Sequence, residues 1–230
     1  MTGSADDARV KTLMAALRTA RAAAIGGLVF AALMAVVLFL FRAAFPVDQY
    51  LNTAAMPSPE ALSQARTALF LVPYAGIAFI WFTGALHYNL GSTDQRLFTT
   101  VFIASGLLFV AVVFVAAAFA SAELTALERG IDLSEGNRII PAVAVNELLV
   151  GYSARRSAVF CLSLSTMGRI RKALPRWLYL FGTATGLFLL LVPFGVPLVE
   201  FLFPVWVATI SLYLLIKNPG GNNRASAETP

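Results

Sequence analysis

The sequence predicts an all-α fold, a polytopic membrane helical bundle of six transmembrane helices with both termini in the cytoplasm. Of its 230 residues, 59% are hydrophobic and 13% are charged, whereas a soluble domain has about 45–50% apolar and about a quarter charged residues. Because one span takes about 20 residues, the apolar residues suffice for roughly six spans. The composition excludes a disordered chain, a basic nucleic-acid-binding domain and an ordinary cytosolic enzyme.

Six stretches of the sequence are apolar enough, or nearly so, to be spans. We place them at about residues 22–45, 65–87, 97–121, 139–167, 177–194 and 197–216. They form a transmembrane domain over residues 22–217, which a polar cytoplasmic tail (1–21) precedes and a disordered cytoplasmic tail (218–230) follows. Because only residues 195–197 separate the last two spans, we expect these spans to form a tight helical hairpin.

Local signals mark where the second and third helices begin. The Ser58–Pro59 pair is suited to a helix start, with the serine as the N-cap and the proline at the first helical position. Ser92, followed three residues later by Gln95, has the pattern of a capping box before the third span. After that span we expect a polar loop over residues 123–138, into which the helix can continue as far as Gly130.

The fourth segment, residues 139–167, is charged, and the distribution of arginine and lysine decides whether it spans. If it does, eleven Lys/Arg lie on the side of the N-terminus and four on the other side, which is the expected cytoplasmic excess. The eleven are Arg9, Lys11, Arg18, Arg21, Arg96, Arg169, Arg171, Lys172, Arg176, Lys217 and Arg224. If it does not span, the bias disappears. We therefore predict six spans, with the N-terminus and the C-terminus inside.

Charges within the fourth segment make its insertion unfavourable on its own. Glu147, Arg155 and Arg156 together cost about 8–10 kcal/mol at mid-span, whereas the strongly apolar residues of the segment return roughly 5 kcal/mol. The segment therefore needs neighbouring helices, and its charges are expected to face the bundle interior or a wet cavity. The two arginines point about 100° apart on a regular helix. Gly151, between the charged groups, offers a place for a break into two half-helices.

Two interpretations of these charges remain open. In the functional one, an arginine holds an anionic group, such as a carboxylate ligand or a lipid headgroup, through the planar fork of its guanidinium. The site would then consist of four residues of this segment: Asn146, Glu147, Arg155 and Arg156. In the structural one, ion pairs satisfy the charges, with Glu147 bound to an arginine, or Arg42 and Glu200 bound to each other near the outer face.

Other sequence features narrow the chemistry. Gly182 and Gly186 form a small-xxx-small face suited to close helix packing, either within the chain or between chains. The single cysteine, Cys161, cannot form an intrachain disulfide, and the single histidine, His87, cannot build a multi-histidine metal site. We therefore expect no metal site and no cofactor. Since the sequence has no phosphate-binding glycine loop, nucleophile elbow or HExxH motif, we expect no enzymatic activity.

A resemblance to a known group of proteins rests on three stretches. They are residues 96–110, the region Arg155–Phe160, and Leu174–Leu178 with the glycine-rich span that follows. Together they resemble a group of uncharacterised six-helix integral membrane proteins of unknown function that are common in actinobacteria. The resemblance covers about residues 20–217 and implies six spans. It carries over no catalytic or binding residue.

These features predict the function in general terms. We expect a multi-pass protein of a bacterial cytoplasmic (inner) membrane that acts as a non-enzymatic accessory or interaction subunit of a membrane assembly. Its expected partners are the lipid bilayer and other membrane protein subunits, and not nucleic acid. The alternative is a transporter, or a protein that binds a lipid or a small anion at the charged fourth helix.

Overall fold

Helices account for nearly all of the chain that the computed structural model describes, which is residues 3–44, 58–90, 96–130, 141, 143–193, 196 and 198–217. The six α-helices are α1 (Gly3–Ala44), α2 (Pro59–Leu90), α3 (Arg96–Glu128), α4 (Ser153–Ile170), α5 (Arg176–Leu191) and α6 (Leu202–Lys217). These residues contain no β-strand. The predicted all-α fold class is therefore confirmed for the described part of the chain.

Among the residues that the structure describes, four segments are long and apolar enough to cross a membrane. They are Ala20–Ala44, Pro59–Tyr88, Leu97–Glu128 and Val199–Lys217. The 16 residues of α5 extend about 24 Å, which is less than the roughly 30 Å of a hydrocarbon core. The charged α4 is not among the four. The architecture is therefore that of a helical bundle compatible with an integral membrane protein.

The N-cap predicted for the second helix is present. Pro59 is the first residue of α2, and the Ala61 N–H donates a hydrogen bond of 3.1 Å to the Ser58 hydroxyl oxygen. This bond satisfies one of the backbone donors that the first turn of a helix leaves unpaired. A local sequence signal therefore placed this helix start correctly.

Two helices are longer than the predicted spans. α1 begins at Gly3, so the expected polar tail and the first span form one continuous helix. α3 continues to Glu128, so the loop expected over residues 123–128 is wrong, and the helical extension that the sequence allowed is present. The predicted capping box of Ser92 and Gln95, the loop residues 131–138, and the tail after residue 217 lie outside the described residues. So do residues 195 and 197 of the predicted hairpin turn.

Close contacts at glycines show that α1 packs directly against α2 and that α5 packs directly against α4. A Cβ at Gly26 of α1 would lie 3.3 Å from the Phe82 backbone nitrogen of α2. A Cβ at Gly186 of α5 would lie 3.0 Å from the Ala158 carbonyl oxygen of α4. Such short distances are possible only because glycine lets two backbones approach closely.

Ion pairs join the helices at one end of the bundle, which we call the Glu200 end. Arg42 in the last turn of α1 bonds Glu200 just before α6, with 2.7 Å between Nη1 and Oε1. Arg66 near the start of α2 bonds Glu128 at the end of α3, also at 2.7 Å. These contacts place the end of one helix beside the start of another, so α1 runs antiparallel to α6 and α2 runs antiparallel to α3.

The centre of the bundle is aromatic. Five helices each contribute one buried phenylalanine to a set that we call the phenylalanine cluster: Phe30, Phe79, Phe109, Phe160 and Phe203. Their rings lie within the range of favourable aromatic pairs, with centroids 4.6 Å apart for Phe30 and Phe79 and 4.9 Å for Phe109 and Phe203. α1, α2, α3, α4 and α6 therefore pack around a single core.

Candidate functional site

The charged fourth segment is a helix with one irregular turn. Glu147–Tyr152 form a π-helical turn between the helical residues 143–146 and α4. The Ser153 N–H accordingly donates to the Leu148 carbonyl, five residues earlier. Gly151 lies inside this turn, so the expected break into two half-helices does not occur. Instead the helix is wider over this turn, because a hydrogen bond there joins residues five apart rather than four. Such π-helical turns are frequent at functional sites.

Backbone carbonyls hold the Arg155 side chain. Its Nη1 donates to the Gly151 carbonyl at 2.8 Å, and its Nη2 donates to the Val192 carbonyl at 3.5 Å. Val192 directly follows α5, where the last carbonyls of the helix have no partner within the helix. In a bilayer no water would satisfy such groups. This geometry favours a structural role for Arg155, which ties the end of α5 to the beginning of α4.

Arg156 points away from Arg155, as the angular argument predicts. Arg155 is partly buried, whereas Arg156 is exposed on the surface of the chain. Arg156 therefore does not face the bundle interior, which is one of the two surroundings expected for the charges of this segment. Both arginines lie level with the end of α5, because Arg155 donates a hydrogen bond to the Val192 carbonyl there. A long side chain there can reach polar surroundings while its stem covers apolar surface.

The ion pair of Arg42 and Glu200 combines a partly exposed cation with a buried anion. The Arg42 side chain is 44% exposed, whereas that of Glu200 is 2% exposed. A buried carboxylate is unfavourable unless it is paired, and its remaining oxygen needs a further hydrogen bond. Here Oε2 of Glu200 is buried and has no hydrogen-bond partner among the described residues. One oxygen of this carboxylate is therefore hydrogen-bonded by a described residue, and the other is not.

The turn that carries Glu200 is strained. Leu198 has a φ of +66°, in the left-handed region, and such a conformation costs a non-glycine residue about 1–3 kcal/mol. A 3₁₀ turn, Val199–Phe201, follows and leads into α6. Because Val199 and Glu200 are both buried, packing against the bundle holds this turn in place.

A cavity of about 40 Å³ lies between the last turns of α1, the π-helical turn and Glu200. Its polar lining is Arg42, Asn146 and Glu200, and the rest of its wall is apolar. A second cavity, of about 10 Å³, also borders Glu200. Since one water needs about 10–15 Å³, the larger cavity admits a few waters or a small ion, and the smaller one admits at most a single water.

Two serines of α4 line the smaller cavity together with Glu200. The Ser153 hydroxyl donates to the Leu149 carbonyl, and the Ser157 hydroxyl donates to the Ser153 carbonyl at 2.9 Å. With their hydrogens used by the backbone, the two hydroxyl oxygens retain only acceptor capacity. Phe109 and Phe203 complete the wall, so the phenylalanine cluster closes this polar region on the side of the bundle centre.

The remaining predicted site residues are distributed as follows. Asn146 borders the larger cavity, while its neighbour Glu147 is half-buried at the start of the π-helical turn. Gly182 and Gly186 lie inside the bundle, where a Cβ at Gly182 would lie 2.6 Å from the Trp206 Nε1 and one at Gly186 would lie 2.8 Å from the Leu162 side chain. Of the two packing modes left open for these glycines, the structure shows the one within the chain.

Sequence reasoning missed a wide groove between α1 and α2. Its volume is about 800 Å³, and its lining is almost wholly apolar: Ala22, Ile25, Gly26, Val29, Leu33, Phe70, Leu71, Tyr74, Ile77, Ala78 and Trp81. Several of these side chains are exposed, among them Phe70 at 65% and Trp81 at 67%. A uniformly apolar span does not reveal which of its faces lacks a neighbouring helix, so the sequence carried no signal for this groove.

Together these features define the class of protein, a helical bundle with four segments long and apolar enough to span a membrane. No protein-family model, no curated protein and no solved structure matches the chain. Within the described residues no group of three or more His, Cys, Asp or Glu side chains is arranged to hold a metal ion.

Proposed function

We propose that this chain is a six-span membrane protein with both termini in the cytoplasm. We further propose that it acts as a non-enzymatic accessory subunit that binds a transmembrane helix of another protein. The single observation that carries this function is the apolar groove between α1 and α2. The groove is a concave apolar surface on two candidate spans, and such a surface fits the apolar face of a further transmembrane helix.

Two observations support six spans rather than four. α4 contributes Phe160 to the phenylalanine cluster, 5.1 Å from Phe79 of α2 and 5.8 Å from Phe203 of α6 between ring centroids. α4 thus passes through the same layer as the long apolar helices. α5 runs back along α4, as the contacts of Gly186 with Ala158 and of Gly182 with Ser165 require. Six spans also agree with the charge bias predicted from the sequence, eleven Lys/Arg against four.

The groove has the shape that a partner helix requires. It extends from Ala22 to Leu33 on α1 and from Phe70 to Trp81 on α2, which is about 17 Å, or three helical turns, on each helix. Small residues such as Gly26 allow a partner backbone to come close, and the aromatic side chains provide the large contact surface that is typical of interface hot spots.

The alternative, binding of a lipid headgroup or small organic anion at the fourth helix, has less support. The guanidinium of Arg155 is bonded to backbone carbonyls. The cavity beside Asn146 has only about 40 Å³, whereas sites for organic ligands occupy about 300–1,000 Å³. The buried carboxylate of Glu200 would also repel an anion there. These three observations favour the accessory role over this alternative.

Co-purification tests the function. The tagged chain, extracted from its native membrane in mild detergent, should bring down a membrane protein in a stoichiometric amount, identified by mass spectrometry. Ala78→Trp fills the groove and should remove that partner while the chain remains folded. Leu187→Trp is the matched control, because Leu187 is 47% exposed on α5 and does not line the groove. A partner retained by Ala78→Trp, or co-purified lipid alone, would contradict the proposal.

Cysteine labelling tests the topology. Arg129→Cys places a thiol after α3 and Lys172→Cys places one between α4 and α5, and both positions are exposed. If α4 spans, a membrane-impermeant maleimide added to spheroplasts labels Arg129→Cys and spares Lys172→Cys until the membrane is permeabilised. Equal labelling of both positions would show that α4 does not cross.

A further inference from the structure

The carboxylate of Glu200 has one oxygen that no described residue satisfies. Its side chain is 2% exposed and its Oε1 bonds Arg42, but its Oε2 has no hydrogen-bond partner among the described residues. Glu200 borders both the cavity of about 40 Å³ and the cavity of about 10 Å³. An unsatisfied buried oxygen needs an explanation, and the open space along the wall to which Glu200 belongs leaves room for a ligand.

The groups around Glu200 define the charge of that ligand. Oε2 accepts only, and the Ser153 and Ser157 oxygens have acceptor capacity left because their hydrogens are used by the backbone. Asn146, on the wall of the larger cavity, offers its side-chain carbonyl oxygen. The two serines line the smaller cavity, so the larger cavity has the Glu200 carboxylate and the Asn146 oxygen as its acceptors. These acceptors suit a cation, and the carboxylate disfavours an anion.

The size of the larger cavity and the charged side chains on its wall limit which ligands it can bind. About 40 Å³ accommodates a small ion with one or two waters and excludes a metabolite. A divalent cation such as Ca²⁺ takes six to eight oxygen ligands, several of them carboxylates. Here Glu200 is the one acidic side chain on the cavity wall and Arg42 is already bound to it. Among metal cations, a monovalent ion is therefore the class that fits this wall.

We propose that the larger cavity is a binding site for a monovalent metal cation of about the size of sodium. The cation is bound by Oε2 of Glu200 and the side-chain oxygen of Asn146, with water completing its shell. This site is independent of the groove between α1 and α2, so it goes beyond the accessory function. The π-helical turn that begins at Glu147 follows Asn146 directly.

Arg42 is then the competitor of the bound cation. Its guanidinium bonds the same carboxylate, and its side chain is 44% exposed, so it can turn toward solvent when a cation enters. Two unit charges about 6 Å apart repel each other enough, even at the dielectric constant of water, to weaken binding about threefold. Removing the charge of Arg42 should therefore strengthen cation binding by at least that factor.

The test measures thermal unfolding of the purified full chain in detergent. Cys161 is the single cysteine and is fully buried, so a thiol-reactive fluorophore reports unfolding directly. Sodium chloride should raise the unfolding temperature above that in choline chloride at the same ionic strength, because choline is too large for the cavity. Arg42→Gln should lower the half-maximal sodium concentration at least threefold, and Glu200→Gln should abolish the sodium response. Asn146→Ala should raise the half-maximal concentration.

The second ion pair of this end of the bundle is the matched control. Arg66 and Glu128 are also 2.7 Å apart, but their side chains are 59% and 40% exposed and line neither of the two cavities. Arg66→Gln and Glu128→Gln should leave the sodium response unchanged. Equal unfolding temperatures in sodium and choline chloride, or a sodium response that survives in Glu200→Gln, would overturn the proposal. If Glu200→Gln does not fold, opposite shifts in Arg42→Gln and Asn146→Ala support the site, and unchanged responses in both overturn it.

Discussion

Addition of one methyl group at Gly182 should destabilise the bundle, although alanine is the better helix former. A Cβ at this position would lie 2.6 Å from Nε1 and 2.9 Å from Cε2 of Trp206, and it would also meet the Ser165 hydroxyl. Trp206 is fully buried and belongs to the core, so it cannot move aside without disturbing its neighbours. The close approach of α5 to α4 and α6 therefore depends on the absence of a side chain at Gly182.

The magnitude follows from two opposing terms. Overpacking a well-packed interior costs about 1–3 kcal/mol, while replacing glycine by alanine inside a helix gains about 0.5–1 kcal/mol. Gly182→Ala should thus lower the free energy of unfolding by up to about 2.5 kcal/mol. For a chain of this size, this corresponds to a decrease of up to about 10 °C in unfolding temperature.

Gly84→Ala is the matched control, because a Cβ there meets no atom within 4 Å. It should gain the propensity term alone and raise the unfolding temperature slightly, by about 1–4 °C. Both variants are followed by labelling of Cys161 during a thermal ramp. The double variant Gly182→Ala with Ser165→Ala should recover part of the loss, since the serine hydroxyl is one of the two obstacles. The packing argument is refuted if Gly182→Ala is as stable as Gly84→Ala.

Three further predictions use the same thermal assay. Phe203→Ala should cost about 3–5 kcal/mol, because it removes a ring that is 2% exposed from the phenylalanine cluster; Phe119→Ala, at a ring that is 42% exposed, should cost far less, and equal losses would contradict the proposed core. Arg155→Ala should cost about 1.5–3 kcal/mol through the loss of charged hydrogen bonds to backbone carbonyls, whereas Arg156→Ala should change stability little; the reverse order would show that the arginine roles are assigned wrongly. Ser58→Ala should cost about 1 kcal/mol through the loss of the N-cap of α2, and an unchanged unfolding temperature would show that this cap is dispensable.

Features set by local chemistry could be predicted from the sequence. The start of α2 follows from Ser58, which caps the helix, and from Pro59, which begins it. These two residues are adjacent in the sequence, so the signal is local. The all-α class follows from composition, because a chain with so few charges needs long apolar helices. The different directions of Arg155 and Arg156 follow from helical geometry alone.

Features that depend on which helices meet could not be predicted. The partners of Arg155 include a carbonyl 37 residues later in the chain, and no periodicity in the sequence relates the two positions. Gly151 suggested a break, yet the helix widens into a π-helical turn. The groove between α1 and α2 exists because no other helix of the described part of the chain covers that face.

The sequence by itself determined the class of protein. Composition and the placement of charges govern how the chain partitions between water and an apolar environment, whichever helices come into contact. It also identified the charged fourth segment as the unusual part of the chain. Only the tertiary structure decided that Glu200 is half-satisfied beside a small cavity and that Arg155 binds backbone. The physical reason is that burial and pairing of a charge depend on residues distant in sequence. In a bundle whose long helices are almost uniformly apolar, the pattern of side chains does not specify which faces meet.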